Sequence, residues 1–495
     1  MIHRALPLAL ALLASPLTAQ QAAEDAQAYL DRIAAIDDDG PELNAVITVN
    51  PGAVEDARSA EASGGLLRGR TVLIKDNIET RELPTTAGSL ALADNRTGRD
   101  ASLITNLRAA GGVVLGKTNL SEWANIRDNN STSGWSAVGG LTRNPHAIDR
   151  NACGSSSGSG AAVAAELAWA AIGTETNGSI TCPASVNGVV GFKPSVGVVS
   201  RTHVVPISST QDTAGPMARS VADAALLLSA IAGRDALDSA TLVGPGRSDF
   251  HTGLENFSLE GVRIGVMRNQ IGNRQDLKDI FETVVTDLES GGATLVDIEF
   301  EPNGEMYGAS FTVLMFELRE EMGKYLTSLP GDDKPRSLAD LIAFNKDNED
   351  SEMRWFGQDL FELAEASTNR EEYEEARATA LRIAGEETLD KLMEEHDVAF
   401  LIAPTREPAW TSDLVNGDNF NGSIGFGSPA AIAGYPHLTV PMGSIEGLPV
   451  GLSIFGAKWR DFEVLQLGAA YERVRRAYLP KPSLKPWSPI ETIAE

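Results

Sequence analysis

The sequence predicts an α/β protein with a single large layered domain, in which helices cover a central mixed β-sheet. From Thr71 to about Met217, apolar β-branched runs alternate with alanine-rich helical segments. Around residues 303–395 the composition changes to long, charged, helical sequence. Strand-like runs then return at Val398–Ala403, Leu438–Val440 and Val450–Phe455. Because these late strands are expected to rejoin the same sheet, one domain is favoured over two.

The individual elements follow from the spacing of apolar residues along the chain. The predicted helices are Ala23–Ala35, Ser102–Ala110, Gly160–Ala171, Asp223–Ala232 and one that begins at Arg370–Arg377. The predicted strands before the helical stretch are Val46–Asn50, Thr71–Lys75, Val113–Leu115 and Val262–Met267. One face of the helix Gly160–Ala171 is expected to pack tightly, and it would be formed by Ala162, Ala165, Glu166 and Trp169.

The composition indicates a soluble globular protein with a strong negative charge. At 495 residues and 42% apolar content, the chain is long enough to bury a large core. Its formal net charge of −27 disfavours binding to nucleic acids and to anionic membranes. The same charge favours cationic or neutral substrates over anionic ones.

The first 22 residues resemble a secretory signal peptide. Met1–Arg4 is short and basic, Ala5–Ala14 is apolar, and Ser15–Ala19 supplies small residues for cleavage. The mature domain is therefore expected to span residues 23–495 and to be periplasmic or extracellular. No other stretch of the sequence is long and apolar enough to span a membrane.

Two serine-rich stretches and one lysine carry the strongest chemical signal. Ser155 and Ser179 are separated by 24 residues, and each lies among glycines and other small residues. Such stretches are turns, helix caps, or a nucleophile with its proton relay. Lys75 ends an apolar, β-branched run, so its side chain is delivered either to a site or to the solvent at the sheet edge. A buried lysine can lose enough of its basicity, toward a pKa of about 7, to act as a general base.

These residues resemble the amidase signature enzymes, which are hydrolases with a Ser–cis-Ser–Lys triad. The spacing of the two serines matches the family, and further segments along nearly all of the mature chain are similar to it. These segments are Gly116–Trp123, Gly188–Pro194, Gln211–Pro216, Gly434–Pro441 and Gly447–Gly451.

The resemblance implies a role for each residue of the triad. Ser179 would be the nucleophile, and Ser155, preceded by a cis peptide bond, would carry the proton between Ser179 and Lys75. The oxyanion hole would be formed by the backbone N–H groups of Thr176, Asn177, Gly178 and Ser179. The resemblance implies no metal and no organic cofactor, and a small-molecule or peptide amide as substrate. It leaves the oligomeric state open, and a monomer is compatible with it.

Several positions depart from the common family pattern. Glu175, Asn177 and Thr181 replace the aspartate, glycine and arginine that many members carry, so the usual acid–arginine pair cannot form. These departures argue against the subunit of tRNA-dependent amidotransferases, which keeps the commoner pattern, and they resemble the peptide amidase branch. So do the segments Phe344–Lys346, Trp355–Gln358 and Asp413–Asp418. By family comparison, the helical region around 303–395 helps to form the substrate cavity, and the aromatic candidates for that cavity are Trp123, Phe316, Trp355 and Phe356.

Other interpretations of the same residues stay open. Gly111–Thr118 matches the phosphate-loop pattern, although a helix rather than a strand is predicted before it. Gly154–Gly158 matches a nucleophile elbow with Ser156 as nucleophile, although residues 144–153 are expected to form a loop. Within the family, an aryl acylamidase or a carbamate or ester hydrolase is the alternative to a peptide amidase. Outside enzymes, the alternative is a non-catalytic, amidotransferase-like binding subunit.

The two cysteines lie close in sequence to the predicted triad serines. Cys153 and Cys182 are each within three residues of one of them. Separate buried thiols are favoured over a disulfide, although an oxidising compartment would permit a bridge.

Overall fold

The computed structural model of the chain describes residues 20–420, 422 and 424–489. The predicted signal peptide, residues 1–22, lies outside the described residues except for its last three positions. Within the described ranges, no helix has the length and apolar character needed to cross a membrane.

The β-strands form one large sheet and two short hairpins. The strands are β1 Val46–Val49, β2 Thr71–Lys75, β3 Val113–Thr118, β4 Trp135–Ser136, β5 Gly140–Leu141, β6 Arg143–Asn144, β7 Ala147–Asn151, β8 Ala170–Glu175, β9 Val190–Lys193, β10 Thr213–Ala218, β11 Arg263–Met267, β12 Thr294–Ile298, β13 Phe400–Pro404, β14 His437–Ile445 and β15 Leu448–Phe455. Among the described residues, eleven of them form the sheet in the order β1-β3-β2-β8-β10-β9-β14-β15-β13-β11-β12. The β2–β3, β2–β8, β11–β12 and β11–β13 pairs are parallel, and the other pairs are antiparallel. The predicted mixed sheet within a single domain is confirmed.

Helices cover both faces of this sheet. They are α1 Gln21–Ile33, α2 Ala53–Ser63, α3 Ser102–Ala109, α4 Ser157–Ala164, α5 Thr181–Val186, α6 Val221–Ile231, α7 Gln275–Ser290, α8 Gly304–Ser328, α9 Leu338–Asp347, α10 Glu349–Glu352, α11 Asp359–Ala366, α12 Arg370–Ala384, α13 Lys391–Glu395, α14 Gly427–Ala433 and α15 Asp461–Val474. Strand β2 shows why both faces are apolar. Val72 and Ile74 join the core under α3, α6 and α15, whereas Leu73 joins the core under α1, α2 and α4.

The predicted helix Gly160–Ala171 is wrong at both ends. Helix α4 begins at Ser157 and ends at Ala164, a turn with Glu166 at φ 56° follows, and Ala170 already belongs to β8. Ala170 and Ala171 pair with Val72 and Leu73 of β2. The alanine-rich composition favours a helix locally, but sheet pairing decides the conformation of these residues. Trp169 therefore does not lie on the α4 face, and its indole N–H donates to Asp223 Oδ1 at 3.1 Å.

The loop expected at residues 144–153 is also partly wrong. Arg143–Asn144 and Ala147–Asn151 form the hairpin β6–β7, which ends just before the first serine-rich stretch. Pro145 and His146 form the turn of this hairpin, and Asn144 is the last residue of β6. A strand therefore does precede Ser156, so the elbow alternative must be judged from the contacts of Ser156 itself.

The stretch from residue 303 to residue 395 is helical, from α8 to α13. The side chain of Asn303 caps the 25-residue helix α8 by accepting a hydrogen bond from Glu305 N at 2.9 Å. Helix α8 packs against both α11 and α12. Helix α8 contacts the segment before β10 through Glu317 and Ser310, and its last two turns line the cavity described next.

Candidate active site

Parallel pairing brings Lys75 to the serine stretches. Strands β2 and β8 run side by side in the same direction, so their carboxyl ends, Lys75 and Glu175, lie at one edge of the sheet. Lys75 Nζ is fully buried and lies 2.7 Å from Ser155 Oγ, 2.8 Å from Thr174 Oγ1 and 3.2 Å from Thr174 O. The side chain therefore points into the protein and not to solvent at the sheet edge.

Burial lowers the pKa of Lys75 to about 7 from its usual 10.5. The negative charges of Asp212 and Glu175 act in the opposite direction and keep the pKa from falling further. The amine therefore exchanges a proton near neutral pH. This is the property required of a general base at that pH.

The loop that carries Ser155 is held tightly against its surroundings. The Gly154–Ser155 peptide bond is cis, as the resemblance implies. Ser155 O accepts a hydrogen bond from Ser121 N at 3.0 Å, and a Cβ atom at Gly154 would collide with Ser121 Oγ. Ser156 N donates to Ser179 O at 3.1 Å, so the two serine stretches are joined directly through their backbones.

Glu175 organises the residues that follow Ser179. Its Oε2 accepts hydrogen bonds from Ile180 N at 2.7 Å and from Thr181 N at 3.0 Å, at the beginning of α5. Thr181 occupies the position where many family members have arginine, and its hydroxyl also contacts Glu175 Oε2 at 3.3 Å. The carboxylate thus holds backbone N–H groups in place of the arginine partner that this sequence lacks.

The backbone before α5 presents N–H groups beside Ser179. Within the described part of the chain, the N–H groups of the four predicted residues, Thr176, Asn177, Gly178 and Ser179, donate to no acceptor. Gly178 has φ 83°, a left-handed conformation that residues with a Cβ adopt with strain. Asn177 is exposed and its Nδ2 donates to Ser428 Oγ at 3.3 Å, whereas Ser179 is buried. Free N–H groups next to a serine fit the predicted oxyanion hole.

The expectation of two separate thiols is wrong, because Cys153 and Cys182 form a disulfide. Their Cα atoms are 6.0 Å apart although 29 residues separate them in sequence. The hydrogen bond between Ser156 N and Ser179 O brings the two stretches together, and sequence spacing alone does not reveal that contact. The disulfide packs against Ala409 and Trp410.

The hydroxyl group of Ser156, the alternative nucleophile, is hydrogen-bonded to the backbone of β8. Its Oγ donates to Thr174 O at 3.0 Å and accepts from Thr174 N at 3.2 Å. The hydroxyl is fully buried, so neither its proton nor its position is available to a substrate. These contacts disfavour the nucleophile-elbow alternative.

The phosphate-loop alternative is not supported by the geometry of residues 111–118. Gly111 lies in the turn after α3, and Val113–Thr118 is the buried strand β3. Lys117, which would contact phosphate in such a loop, is fully buried, forms an ion pair with Asp76 at 2.9 Å and donates to Thr85 Oγ1 at 2.8 Å.

A cavity of about 420 Å³ lies beside Lys75, and we refer to it as the lysine-side cavity. The residues that line it include the polar Asn77, Thr174 and Thr176 and the apolar Val204, Val205 and Ile207. Asp212 also lines it and accepts a hydrogen bond from Thr176 Oγ1 at 2.6 Å. Asn77, Thr174 and Asp212 are parts of the site that the sequence patterns do not predict. Asn77 and Thr174 are close to Lys75 and Glu175 in sequence, and this proximity is the signal that could have found them.

The four aromatic candidates lie apart from the lysine-side cavity. Trp123 packs edge-on against Phe361, with their ring centroids 5.9 Å apart. Phe316 stacks on Tyr373 at 4.3 Å and lines a separate depression at α8 and α12. Trp355 is half-buried beneath Arg354, and Phe356 packs against Trp135 and Arg127. Their assignment to a substrate cavity stays a prediction.

No metal site accompanies these residues in the part of the chain that the structure describes. There, no three His, Cys, Asp or Glu side chains are grouped closely enough to hold an ion. The side chains that contact Lys75 are hydroxyl groups, and the neighbouring carboxylates bond to backbone N–H groups or to Thr176.

Comparison with known proteins gives matches along most of the chain. A family model described as Amidase matches residues 24–465. A protein named probable amidase from Arabidopsis thaliana is 35% identical over 476 residues, which cover 92% of this chain and 87% of the relative. The solved structure of an amidase family protein from Bacillus anthracis has a TM-score of 0.84 and 35% identity, covering 94% of this chain and 90% of that one. The solved structure of native peptide amidase from Stenotrophomonas maltophilia has a TM-score of 0.87 and 47% identity, covering 93% and 95%.

Proposed function

Because the chain belongs to the amidase signature family and is an amidase, we propose that it hydrolyses carboxamides through an acyl-enzyme on Ser179. The observation that carries this proposal is the buried contact of 2.7 Å between Lys75 Nζ and Ser155 Oγ, at the edge of the sheet where Ser179 lies. In this proposal Ser155 relays protons between the nucleophile and the lysine.

The first half of the reaction forms the acyl-enzyme. Ser179 Oγ attacks the carbonyl carbon while its proton moves to Ser155 Oγ and the proton of Ser155 moves to Lys75 Nζ. The negative charge on the carbonyl oxygen is stabilised by the backbone N–H groups of the predicted oxyanion hole, from Thr176 to Ser179. The proton then returns through Ser155 to the leaving nitrogen, the C–N bond breaks, and ammonia or an amine departs.

The second half releases the acid. A water molecule attacks the ester carbon, its proton passes through Ser155 to Lys75, and the C–Oγ bond breaks as Ser179 regains a proton. The oxygen atoms around Lys75 Nζ can form hydrogen bonds with both protonation states of the amine. A neutral amine can donate to Thr174 O and Thr174 Oγ1 and accept from Ser155, whereas the ammonium can donate to all three oxygen atoms.

The substrate class that we propose is the C-terminal amide of peptides. It is supported by the 47% identity to peptide amidase and by the departures at Glu175, Asn177 and Thr181. In the described residues Glu175 bonds to the backbone N–H groups of Ile180 and Thr181 and not to an arginine, which is the departure from the common family pattern seen in the sequence. An aryl acylamidase or a carbamate or ester hydrolase is the alternative, because the relay itself does not select the leaving group.

Product mass analysis tests the proposed reaction and its substrate together. The purified protein is incubated with C-terminally amidated peptides, the same peptides as free acids, anilides and aryl carbamates. We expect only the amidated peptides to change, with an increase of about 1 Da for each amide converted to an acid, and no cleavage of internal bonds. Cleavage of anilides or carbamates with the amidated peptides intact would contradict the proposed substrate. No turnover of any member would favour the non-catalytic binding subunit.

Two serine variants test the assignment of the nucleophile. Ser179→Ala should abolish turnover, because removing the nucleophile of such a triad leaves only residual catalysis, with losses on the order of 10⁶ in kcat. Ser156→Ala is the matched control and should keep measurable turnover, since its hydroxyl bonds only to Thr174. The reverse pattern, with an active Ser179→Ala and an inactive Ser156→Ala, would move the nucleophile to Ser156.

We also propose that residues 1–22 direct export, as their composition suggests. The N-terminal mass of the protein recovered from the periplasm or medium should correspond to cleavage near Ala19–Ala22. Recovery of the uncleaved chain from the cytosol would contradict this.

A further inference from the structure

The predicted oxyanion hole contains an asparagine that is followed directly by a glycine. Of the five Asn-Gly pairs in the sequence, Asn177-Gly178 is the one that lies beside Ser179, and Asn177 is exposed. Asparagine is a thermolabile residue, and it deamidates most readily before glycine, because no Cβ atom obstructs attack of the glycine nitrogen on the asparagine side chain. Hydrogen bonds to the amide or to the glycine N–H group slow this reaction, so the contacts of each pair determine its reactivity.

The two reacting groups of Asn177-Gly178 are weakly held. Among the described residues, Gly178 N donates to no acceptor, and a Cβ atom at Gly178 would meet nothing within 4 Å. In the same part of the chain, the hydrogen bonds of the Asn177 amide involve one hydroxyl, that of Ser428, at 3.3 Å from Nδ2 and 3.4 Å from Oδ1. The pair therefore has the space and the freedom of movement that ring closure requires.

A second Asn-Gly pair, Asn187-Gly188, is protected by its contacts. Asn187 is fully buried, and its Nδ2 donates to Ala152 O at 2.9 Å and to Pro183 O at 2.7 Å. Gly188 N donates to Ser185 O at 3.2 Å. Both reacting groups of this pair are engaged in hydrogen bonds, so it serves as an internal reference for the exposed pair.

We propose that Asn177 is a site of spontaneous deamidation and that this modification inactivates the enzyme. Gly178 N loses its proton to hydroxide and attacks Asn177 Cγ. The Cγ–Nδ2 bond breaks, Nδ2 takes up a proton and leaves as ammonia, and a five-membered succinimide ring joins the two residues. Water then opens the ring at one of its two carbonyl groups and leaves either aspartate or isoaspartate at position 177.

Each stage of the modification damages the predicted oxyanion hole. The succinimide has no proton on the nitrogen of Gly178, so one N–H donor is lost. Aspartate at position 177 can accept a hydrogen bond from the backbone N–H group two residues later, that of Ser179, and its charge opposes a developing oxyanion. Isoaspartate adds a methylene group to the main chain and displaces the N–H groups that follow. The loss of activity rests on the proposed function, whereas the deamidation itself does not.

The test ages the purified protein in mildly alkaline buffer below its unfolding temperature and measures activity on a peptide amide and peptide masses at intervals. Asn177 should gain about 1 Da as its amide becomes an acid, Asn187 should keep its mass, and activity should fall in step with the modified fraction of Asn177. The two asparagines share one tryptic peptide, so fragment ions assign the mass change. Ser179→Ala should be modified at Asn177 as fast as the wild type, since ring closure uses Gly178 N and not the nucleophile.

Two variants at position 177 connect the modification to the loss of activity. Asn177→Gln keeps an amide but would need a six-membered ring, which closes far more slowly, so on ageing it should retain whatever activity it has at the start. Asn177→Asp supplies one product directly, and its kcat should be at least about tenfold below that of Asn177→Gln.

The outcomes separate this inference from the proposed function. An Asn177 that keeps its mass on ageing, or a modified Asn177 in a fully active protein, would overturn the inference and leave the proposed function intact. Equal loss of activity in the wild type and in Asn177→Gln would also overturn it. A wild-type protein that is inactive before ageing would contradict the proposed function, and the masses at Asn177 and Asn187 would still decide whether deamidation occurs.

Discussion

Lys75 illustrates how one residue can depend on the whole fold for its chemistry. At the end of a buried strand its pKa is about 7, compared with 10.5 in solvent, a difference of roughly 5 kcal/mol between its two protonation states. Between these two pH values the unfolded chain binds a proton that the folded chain does not. The contribution of this residue to stability therefore becomes more favourable as pH rises from about 7 to about 10.5.

The same pKa predicts the pH dependence of catalysis. Only the neutral amine can accept a proton from Ser155, so kcat/KM for a primary amide should rise with pH through about 7 and then level off. Steady-state kinetics between about pH 5 and about pH 9 measure this profile.

Lys75→Arg supplies the control for the pH profile. A guanidinium keeps the positive charge but does not deprotonate in this range, so activity should be lost at every pH tested. A variant that kept a rising profile near pH 7 would assign the titration to another group.

At the scale of elements, a disulfide joins the loop before α4 to helix α5. Cys153 precedes the cis peptide bond and Cys182 lies in the first turn of α5, so the bridge ties together the two segments that carry Ser155 and Ser179. The double variant Cys153→Ala/Cys182→Ala should be less stable by about 3–4 kcal/mol, given the 29-residue separation of the two cysteines. Thermal unfolding should show a lower Tm.

Reduction provides the matched comparison for the disulfide. A reductant should lower the Tm of the wild-type protein and leave the double variant unchanged. If the intact mass of the unreduced protein equalled that of the reduced protein, the two cysteines would be free thiols and the prediction would be wrong.

The elements show what the sequence can and cannot predict. Strands β2 and β3 are predictable because short, buried runs rich in β-branched residues favour the extended strand conformation. The end of α4 is not, because Ala170 and Ala171 have helical propensity and their strand conformation depends on β2, about 100 residues earlier. The disulfide and the contact between Lys75 and Thr174 depend on the same kind of distant pairing.

At the scale of the whole molecule, the net charge of −27 is expected to attract cationic substrates over long range. For a peptide amide with one or two added lysines, kcat/KM should fall severalfold as salt rises from about 10 mM to about 150 mM, because screening weakens the attraction. The neutral peptide of the same length is the control and should change little. An equal response of both peptides would show that the field does not act on the substrate.

The order of the strands also separates the two halves of the chain. Strands β1–β3 and β8–β10 form one side of the sheet and β11–β15 form the other, and the two sides meet where β9 pairs with β14. Lys75 ends β2 and Ser179 lies four residues after β8, both on the first side, and the hydrogen bond from Ser156 N to Ser179 O joins the stretch of Ser155 to them. Their proposed roles rest on the resemblance to the family, and the pairing of β2 with β8 explains why Lys75 and the serine stretches are neighbours.

This boundary has a consequence for synthesis on the ribosome. When residues 1–200 have emerged, every residue of the proposed relay is present, yet β9 has no partner on one side until His437–Ile445 has been made. A strand with an unpaired edge can pair with other chains and so promote aggregation. This edge of β9 stays unpaired for most of translation, because its partner β14 is synthesised late. A chain truncated before residue 437 therefore carries all three residues of the proposed relay and, at the same time, an unpaired strand edge that favours aggregation.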